Sequence, residues 1–141
     1  MATTIRRPVE ILMARTTDGI DAVFETLAQK RADALLTTPH PLFNNHRVQI
    51  VGLAARYRIP AIYDLREYAT DGGLMSYSAE QLEQYHQIGV YAGRILNGEK
   101  PSDLPVMRPN KFLLTINLKT VEALGLQVPP SLLALADELI E

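Results

Sequence analysis

The amino-acid sequence predicts one α/β domain with a Rossmann-like, doubly wound and mostly parallel sheet. Three observations lead to this fold class. The length of 141 residues suits a single domain, 1–141. The composition, 47% hydrophobic and 21% charged, is that of an ordinary globular chain. Short apolar runs alternate with segments whose apolar residues recur at helical spacing, and this alternation favours a parallel sheet covered by helices.

The elements follow in the order strand, helix, strand, helix, strand, strand, helix, strand, helix, helix. We expect a strand at 9–14, a helix from 16–18 to about 31, a strand at 32–38, a helix over 48–57, a strand at 61–63, a polar connection with one helical turn at 64–70, a turn at 71–73, a strand at 74–77, a helix behind 78–81, a proline-containing connector at 99–110, a strand at 112–117, a helix at 118–124 and a terminal helix from 129–131 through 139.

Capping signals set the expected helix ends. Asn44 or Asn45 is expected to cap the second helix, because asparagine side chains accept hydrogen bonds from free N–H groups. Ser78 and Gln81 stand three residues apart and predict a capping box for the clearest helix of the chain. Gly98 is placed to be the residue that follows this helix in a left-handed conformation.

Composition and motifs exclude several classes of function. The net charge of −2 gives no attraction for nucleic acid, and the absence of cysteine excludes thiol nucleophiles and Cys–zinc sites. No phosphate-binding glycine motif, zinc-binding histidine motif or serine-nucleophile motif is present, so we expect no cofactor, no metal and no catalysis. An enzyme would need Ser76, a histidine and Asp64 within hydrogen-bond reach. Residues 1–10 show no signal peptide and no apolar run approaches a membrane span, so the chain as written is expected to be cytoplasmic, without membrane insertion.

Polar and aromatic residues follow three of the predicted strands. Ligands of open α/β sheets bind beyond the carboxyl ends of parallel strands, and this mixture suits a small organic solute. Arg66 is expected to pair with a carboxylate, and the aromatic side chains to stack on a ring. Simple polar connections would explain each residue about equally well. The candidate ligand-binding residues are Thr38, Phe43, Tyr63, Arg66, Ser76 and Tyr77.

Several longer stretches carry a resemblance to a known family. They are RADALL at 31–36, PLF at 41–43, IVGLAARYRIPAIY at 50–63, REY at 66–68, GGLMSY at 72–77, GRILNGEKP at 93–101, DLPV at 103–106, NLKT at 117–120 and ALGL at 123–126. In these stretches the chain resembles the ABC transporter substrate-binding proteins of the tryptophan/tyrosine-type family.

The resemblance implies the type I periplasmic-binding fold, in which two α/β lobes close around a solute like a hinge. This chain resembles the second lobe and is expected to be N-terminally truncated, with the segment 74–98 belonging to the missing first lobe in full-length relatives. Those relatives carry a signal or lipoprotein leader, which implies a periplasmic or lipid-anchored location and an ABC permease as partner. The implied function is binding of an amino-acid-like or aromatic solute without catalysis.

One helix face would lose its cover if the first lobe is absent. Bare apolar area favours association, so we expect a homodimer through Leu74–Gly98, with an exchange of this segment between protomers as one form of it. The alternative function is a dimeric protein-interaction or sensory domain that has lost solute binding. The apolar face consists of Leu82, Tyr85, Gly89, Ala92 and Leu96, flanked by Ile88 and Ile95.

Overall fold

A computed structural model describes residues 7–141. Residues 1–6, part of the segment 1–10 in which we expect no signal peptide, lie outside the described residues. The described chain forms a five-stranded sheet with helices between the strands. The elements are α1 (Thr17–Gln29), β1 (Leu35–Leu36), α2 (Pro41–Asn45), α3 (Arg47–Arg56), β2 (Ala61–Tyr63), α4 (Arg66–Thr70), β3 (Met75–Ala79), α5 (Gln81–Leu96), a 3-10 turn (Pro101–Asp103), β4 (Phe112–Asn117), α6 (Leu118–Leu124), α7 (Pro130–Leu133) and β5 (Glu138–Ile140).

The strands lie in the sheet in chain order, β1-β2-β3-β4-β5. The first three are parallel neighbours, with Leu36 opposite Ile62 and Tyr63 opposite Ser76. β4 runs antiparallel to β3, and β5 runs parallel to β4. The mostly parallel α/β sheet predicted from the sequence is therefore confirmed. Because β1, β2 and β3 share one direction, their carboxyl ends meet at the same edge.

Two apolar clusters stabilise the sheet. The larger joins α1, α3 and α4 to the sheet and contains Phe24, Ile50 and Tyr63. The smaller surrounds Ile116 and draws on α6 and α7. Successive residues of a strand point to opposite faces. Met75 therefore packs against the smaller cluster, while its neighbour Ser76 faces the side of Tyr63.

The strand predicted at 9–14 is wrong, because these residues form no strand in the described structure. Val9, Ile11 and Met13 are exposed, whereas Leu12 and Ala14 pack against the larger cluster. The segment thus has the alternation of a strand but no hydrogen-bonded neighbour. Periodicity reports which side chains are covered, and it does not report whether a partner strand is present.

The terminal helix predicted through Leu139 is also wrong. α7 ends at Leu133, and the chain then adds β5 beside β4. The backbone N–H of Leu114 donates to Asp137 Oδ2 at 2.7 Å, and the N–H of Asp137 donates to the carbonyl of Leu114. These bonds hold the chain against the edge of β4. The pairing stabilises a strand where the sequence pattern predicts a helix.

The predicted helix starts at Asn44 or Asn45 and at Ser78 are wrong. Both asparagines lie within α2, and α3 begins after His46 without a side-chain cap. Ser78 lies within β3, so α5 begins at Gln81 without a side-chain cap. The strand pairing holds Ser78 in extended backbone, and its hydroxyl is therefore not available to a helix.

The helix start predicted at 16–18 and the helix end predicted at Gly98 are confirmed. The N–H of Gly19 donates to Thr16 Oγ1 at 3.1 Å at the start of α1. That helix ends at Gln29, two residues early, because Arg31 takes a positive φ of 52°. Gly98 has a φ of 96°, and its N–H donates to the carbonyl of Ile95. Gly98 therefore ends α5 as predicted.

The helix α5 carries no buried residue. Its apolar stripe is open to solvent, with Leu82 78% exposed and Leu96 87% exposed. A connector runs beside the helix, and the hydroxyl of Tyr91 donates to the carbonyl of Pro105 at 2.8 Å. Within residues 7–141, no helix combines the length and apolarity needed to cross a membrane.

Candidate functional site

A row of polar side chains crosses the sheet at the carboxyl ends of β1 and β2 and at the second residue of β3. The N–H of Thr37 donates to the carbonyl of Ile62, which places Thr37 beside Tyr63. Strand pairing continues the row through Ser76, Thr115 and Glu138. Paired residues of neighbouring strands point to the same face, so these five side chains share one side of the sheet.

Four buried polar atoms in this region have no hydrogen-bond partner within the described chain. Buried polar groups are nearly always paired, so each exception needs an explanation such as a bound molecule. Tyr63 is only 1% exposed and Ser76 is fully buried, so neither can be satisfied by bulk water. The four atoms are Thr37 Oγ1, Tyr63 OH, Asp64 Oδ1 and Ser76 Oγ.

The aromatic part of the site is a stacked pair. The rings of Tyr63 and Tyr68 lie 4.5 Å apart and nearly parallel, at 7°. The hydroxyl of Tyr68 donates to Asn44 Oδ1 at 3.3 Å. Gly73 makes room for this stack, because a Cβ at that position would lie 2.6 Å from Cε2 of Tyr63 and 2.7 Å from the carbonyl oxygen of Tyr68.

Burial changes the acidity of these groups. It raises the pKa of Tyr63 far above its usual 10.0, and Tyr68 adds to that rise. Burial and the nearby charge of Asp64 raise the pKa of Tyr68 to about 12. Burial also raises the pKa of Asp64, and the residue's own backbone N–H opposes this change. Both phenols are therefore neutral donors at physiological pH.

Two of the predicted site residues, Tyr63 and Ser76, are brought together. They lie side by side on β2 and β3, and both carry unpartnered hydroxyls. The ring of Tyr63 is enclosed by the core and stacked on Tyr68, so the buried hydroxyl is the one polar group that this side chain can offer a ligand.

The other predicted residues are spread around this point. Thr38 is exposed, one residue beyond the buried hydroxyl of Thr37. Phe43 is half-buried on α2, with its ring 5.5 Å from that of His40. Tyr77 points to the opposite face from Ser76 and stacks on Phe112 at 5.4 Å.

Arg66 lies at the start of α4 and is already paired. Its Nε donates to Glu138 Oε2 at 2.6 Å and its NH2 group to Glu138 Oε1 at 2.5 Å. The hydroxyl of Thr115 also donates to Glu138. An acidic solute would have to compete with Glu138 for this guanidinium.

Sequence reasoning missed Thr37, Asp64 and Glu138 as members of the site. The alternation of strand side chains could have selected Thr37 over Thr38, because Thr37 shares the inward face of Leu35. Asp64 follows the strand of Tyr63 directly, a position that the rule for strand ends covers. Glu138 lay within a predicted helix, so no signal placed it near Arg66.

The arrangement lacks the parts of a hydrolase or a metal centre. The unpartnered Oγ of Ser76 has no histidine within hydrogen-bond distance. His46 is engaged elsewhere, with its ring nitrogens next to Thr17 Oγ1 and the carbonyl of Leu42. Among residues 7–141 no group of three or more histidine, aspartate or glutamate side chains is arranged to hold a metal ion. The site can offer hydrogen bonds and an apolar wall.

The sequence matches one family model, described as ABC transporter substrate binding protein, over residues 5–140. A comparison with curated proteins found no significant match.

Solved structures share the fold. A conserved domain protein from Vibrio cholerae O1 biovar El Tor is 20% identical with a TM-score of 0.89, over 98% of this chain and 46% of that one. An ABC domain from Streptococcus pneumoniae in complex with L-Trp is 24% identical with a TM-score of 0.89, over 99% and 48%. A ligand-free, open substrate-binding protein with adhesive properties from Clostridium difficile is 22% identical with a TM-score of 0.63, over 90% and 42%. The chain thus spans less than half the length of each.

Proposed function

Since the chain belongs to the family of ABC transporter substrate-binding proteins, we propose that it binds a small organic solute, amino-acid-like or aromatic, for an ABC transport system. The observation that supports this most directly is the set of four buried polar atoms that have no partner within the described chain, three at the ends of β1 and β2 and one on β3. A solute with hydrogen-bonding groups would satisfy them. The family is one of solute-binding proteins rather than enzymes, which agrees with the absence of catalytic motifs from the sequence.

The proposed contacts follow from the geometry of the site. In this proposal the solute accepts from or donates to the buried hydroxyls of Thr37, Tyr63 and Ser76. Thr38 and Phe43 follow β1 and would approach the solute from the side, Phe43 with its half-buried ring. The similar Streptococcus pneumoniae domain was solved with L-Trp, and a ligand of that kind combines a ring with polar groups.

A titration followed by amide NMR tests this function. Phenylalanine, tryptophan and aromatic acids are added to millimolar concentration, because a single α/β domain encloses a ligand incompletely and binds it weakly. Shifts confined to the amides of Thr37, Tyr63, Asp64 and Ser76 would support the site. If none of the solutes moves these signals, the proposed function is wrong for this chain.

We also propose that two copies associate through the segment Leu74–Gly98. The support is the uncovered apolar stripe of α5, since a monomer with such a patch is rare among soluble proteins. β3 lies between β2 and β4 in the sheet, so its removal would break both ladders. The association therefore involves α5 and leaves β3 in place.

Light scattering after size exclusion, over a dilution series, tests the association. Ile88→Lys places a charge at the border of the stripe and should shift the population toward monomer, whereas Gln87→Lys on the opposite side of α5 should leave it unchanged. A monomer at all concentrations contradicts the proposal.

The bare stripe also supports the second candidate function, a dimeric protein-interaction or sensory domain without a solute. The two functions make opposite predictions for the NMR titration. A stable dimer whose strand-end amides ignore every solute would favour the interaction domain. Solute-dependent shifts at those amides would favour the transport function.

A further inference from the structure

The charges around the strand ends are distributed unevenly. Arg66 borders the polar row and Arg47 lies near Tyr68, and each is paired with a carboxylate. Arg66 forms the double hydrogen bond to Glu138, and Arg47 Nε donates to Asp71 Oδ2 at 2.6 Å. A new anion would therefore meet no available positive charge at either arginine, and it would have to displace a carboxylate that is already in place.

Asp64 is in the opposite situation. Its Oδ1 atom is buried and has no hydrogen-bond partner within the described chain. The carboxylate lies close enough to Tyr68 to raise the pKa of that phenol. A carboxylate oxygen only accepts hydrogen bonds, whereas the hydroxyls of Thr37, Tyr63 and Ser76 both donate and accept. Asp64 therefore lacks a hydrogen-bond donor.

We infer that the solute is held by an amine, or another N–H donor, at Asp64, and that the site disfavours solutes whose only charged group is a carboxylate. This inference rests on the proposed solute-binding function and narrows its substrate class. An ammonium group would place its charge against Asp64 and donate to it directly. A carboxylate there would meet Asp64 and, further along the row, Glu138.

The size of the preference follows from the kind of bond. A hydrogen bond between an ammonium and a carboxylate is charge-assisted, and such bonds are roughly twice as strong as those between neutral groups. Since about 1.4 kcal/mol corresponds to a tenfold change in affinity, an amine should bind on the order of tenfold more tightly than a carboxylate of the same shape.

Phenethylamine and hydrocinnamate are a matched pair for the test, because they share the ring and linker and differ in the charged group. Phenylalanine, which carries both groups, is the reference solute. We expect phenethylamine to shift the amide signals of Tyr63, Asp64 and Ser76 at concentrations on the order of tenfold below those hydrocinnamate needs.

Two variants separate the role of Asp64 from a general effect of negative charge. Asp64→Asn keeps the shape and removes the charge, and it should weaken phenethylamine binding on the order of tenfold. Glu67→Gln removes an exposed carboxylate three residues away and should leave the affinity unchanged. The amide spectrum of each variant reports whether its fold is retained, and the wild-type comparison of the two solutes needs no variant.

The outcomes are distinguishable. If hydrocinnamate binds at these amides as tightly as phenethylamine, the amine preference is wrong while the solute-binding function stands. If a folded Asp64→Asn protein binds phenethylamine normally, Asp64 is not the anchor. If none of the three solutes, phenylalanine included, shifts these signals at millimolar concentration, both the inference and the proposed function fail.

Discussion

Replacing Ser76 by alanine should stabilise the domain in the absence of solute. Ser76 is fully buried, and its Oγ has no hydrogen-bond partner within the described chain. A buried hydroxyl left without a partner costs about 1–3 kcal/mol. Alanine removes this oxygen and leaves only a small void. We therefore expect the free energy of unfolding to rise by about 1 kcal/mol, which for a domain of this size raises Tm by about 3 °C.

A matched control lies directly opposite in the sheet. Thr115 on β4 pairs with Ser76 and is just as buried, but its hydroxyl donates to Glu138 Oε2 at 3.3 Å. Thr115→Val removes that bond and should lower the free energy of unfolding by about 1 kcal/mol. The two hydroxyl deletions should thus change stability in opposite directions.

Urea denaturation of the wild type and both variants measures the difference. Equal m values are required, because only then does a change in midpoint report stability alone. The reasoning is refuted if Ser76→Ala destabilises the protein as much as Thr115→Val does. That result would mean that Ser76 Oγ is hydrogen-bonded, most simply to a buried water, in the solute-free domain. Under the proposed function, Ser76→Ala should also weaken solute binding.

Three further perturbations test the surroundings of the site. Gly73→Ala places a Cβ 2.6 Å from the ring of Tyr63 and should lower the free energy of unfolding, measured by urea denaturation, by about 1–3 kcal/mol. The control Gly52→Ala on α3 meets nothing within 4 Å and should raise the free energy of unfolding by up to about 1 kcal/mol. The guanidinium of Arg66 holds the pKa of Glu138 below 4.5. The ion pair therefore contributes stability above pH 4.5, and this contribution is lost as the pH falls through the lowered pKa. Glu138→Gln should flatten this acid dependence by less than about 1 kcal/mol, and an unchanged pH profile would count against the pair. Burial raises the pKa values of Tyr63 and Tyr68, so their neutral phenols contribute stability below pH 10.0 that is lost as the pH rises through the raised values. Their tyrosinate absorbance should therefore emerge only with alkaline unfolding, and Tyr63→Phe should reduce it. A titration without this late phase would contradict the burial of the two phenols.

The sequence predicted those elements that are delimited by local signals. β2, β4 and α6 have the expected bounds, because Pro60 precedes one strand and Asn117 and Gly125 bracket the helix. The N–H of Thr120 donates to Asn117 Oδ1, and Gly125 takes a left-handed φ of 69°. Each of these signals acts within a few residues, so the sequence pattern contains it.

The errors arose where a distant partner decides the outcome. The segment at 9–14 has strand-like alternation without a neighbour, and β5 has a neighbour that the helical pattern concealed. The same limit applies to the site. The proximity of Tyr63 and Ser76 could be predicted because both lie on predicted strands, whereas Arg66 and Glu138 are 72 residues apart and meet only through the β4–β5 pairing. Which threonine faces inward after β1 also depends on the sheet.

Within the described residues, two sets of groups lack a partner, and they differ in kind: the buried polar atoms near the strand ends and the apolar stripe on α5. The four unpartnered polar atoms are few and buried, so a small molecule with hydrogen-bonding groups can satisfy them. The stripe on α5 is a long, exposed, apolar surface without directional groups, so only a protein surface of comparable extent can cover it. One occupant cannot partner both sets, because a solute is too small for the stripe and an apolar helix has no donors for Asp64. The two proposals therefore assign solute recognition and association to separate parts of this fold, and they predict that a substitution on α5 alters assembly without changing the groups proposed to receive the solute.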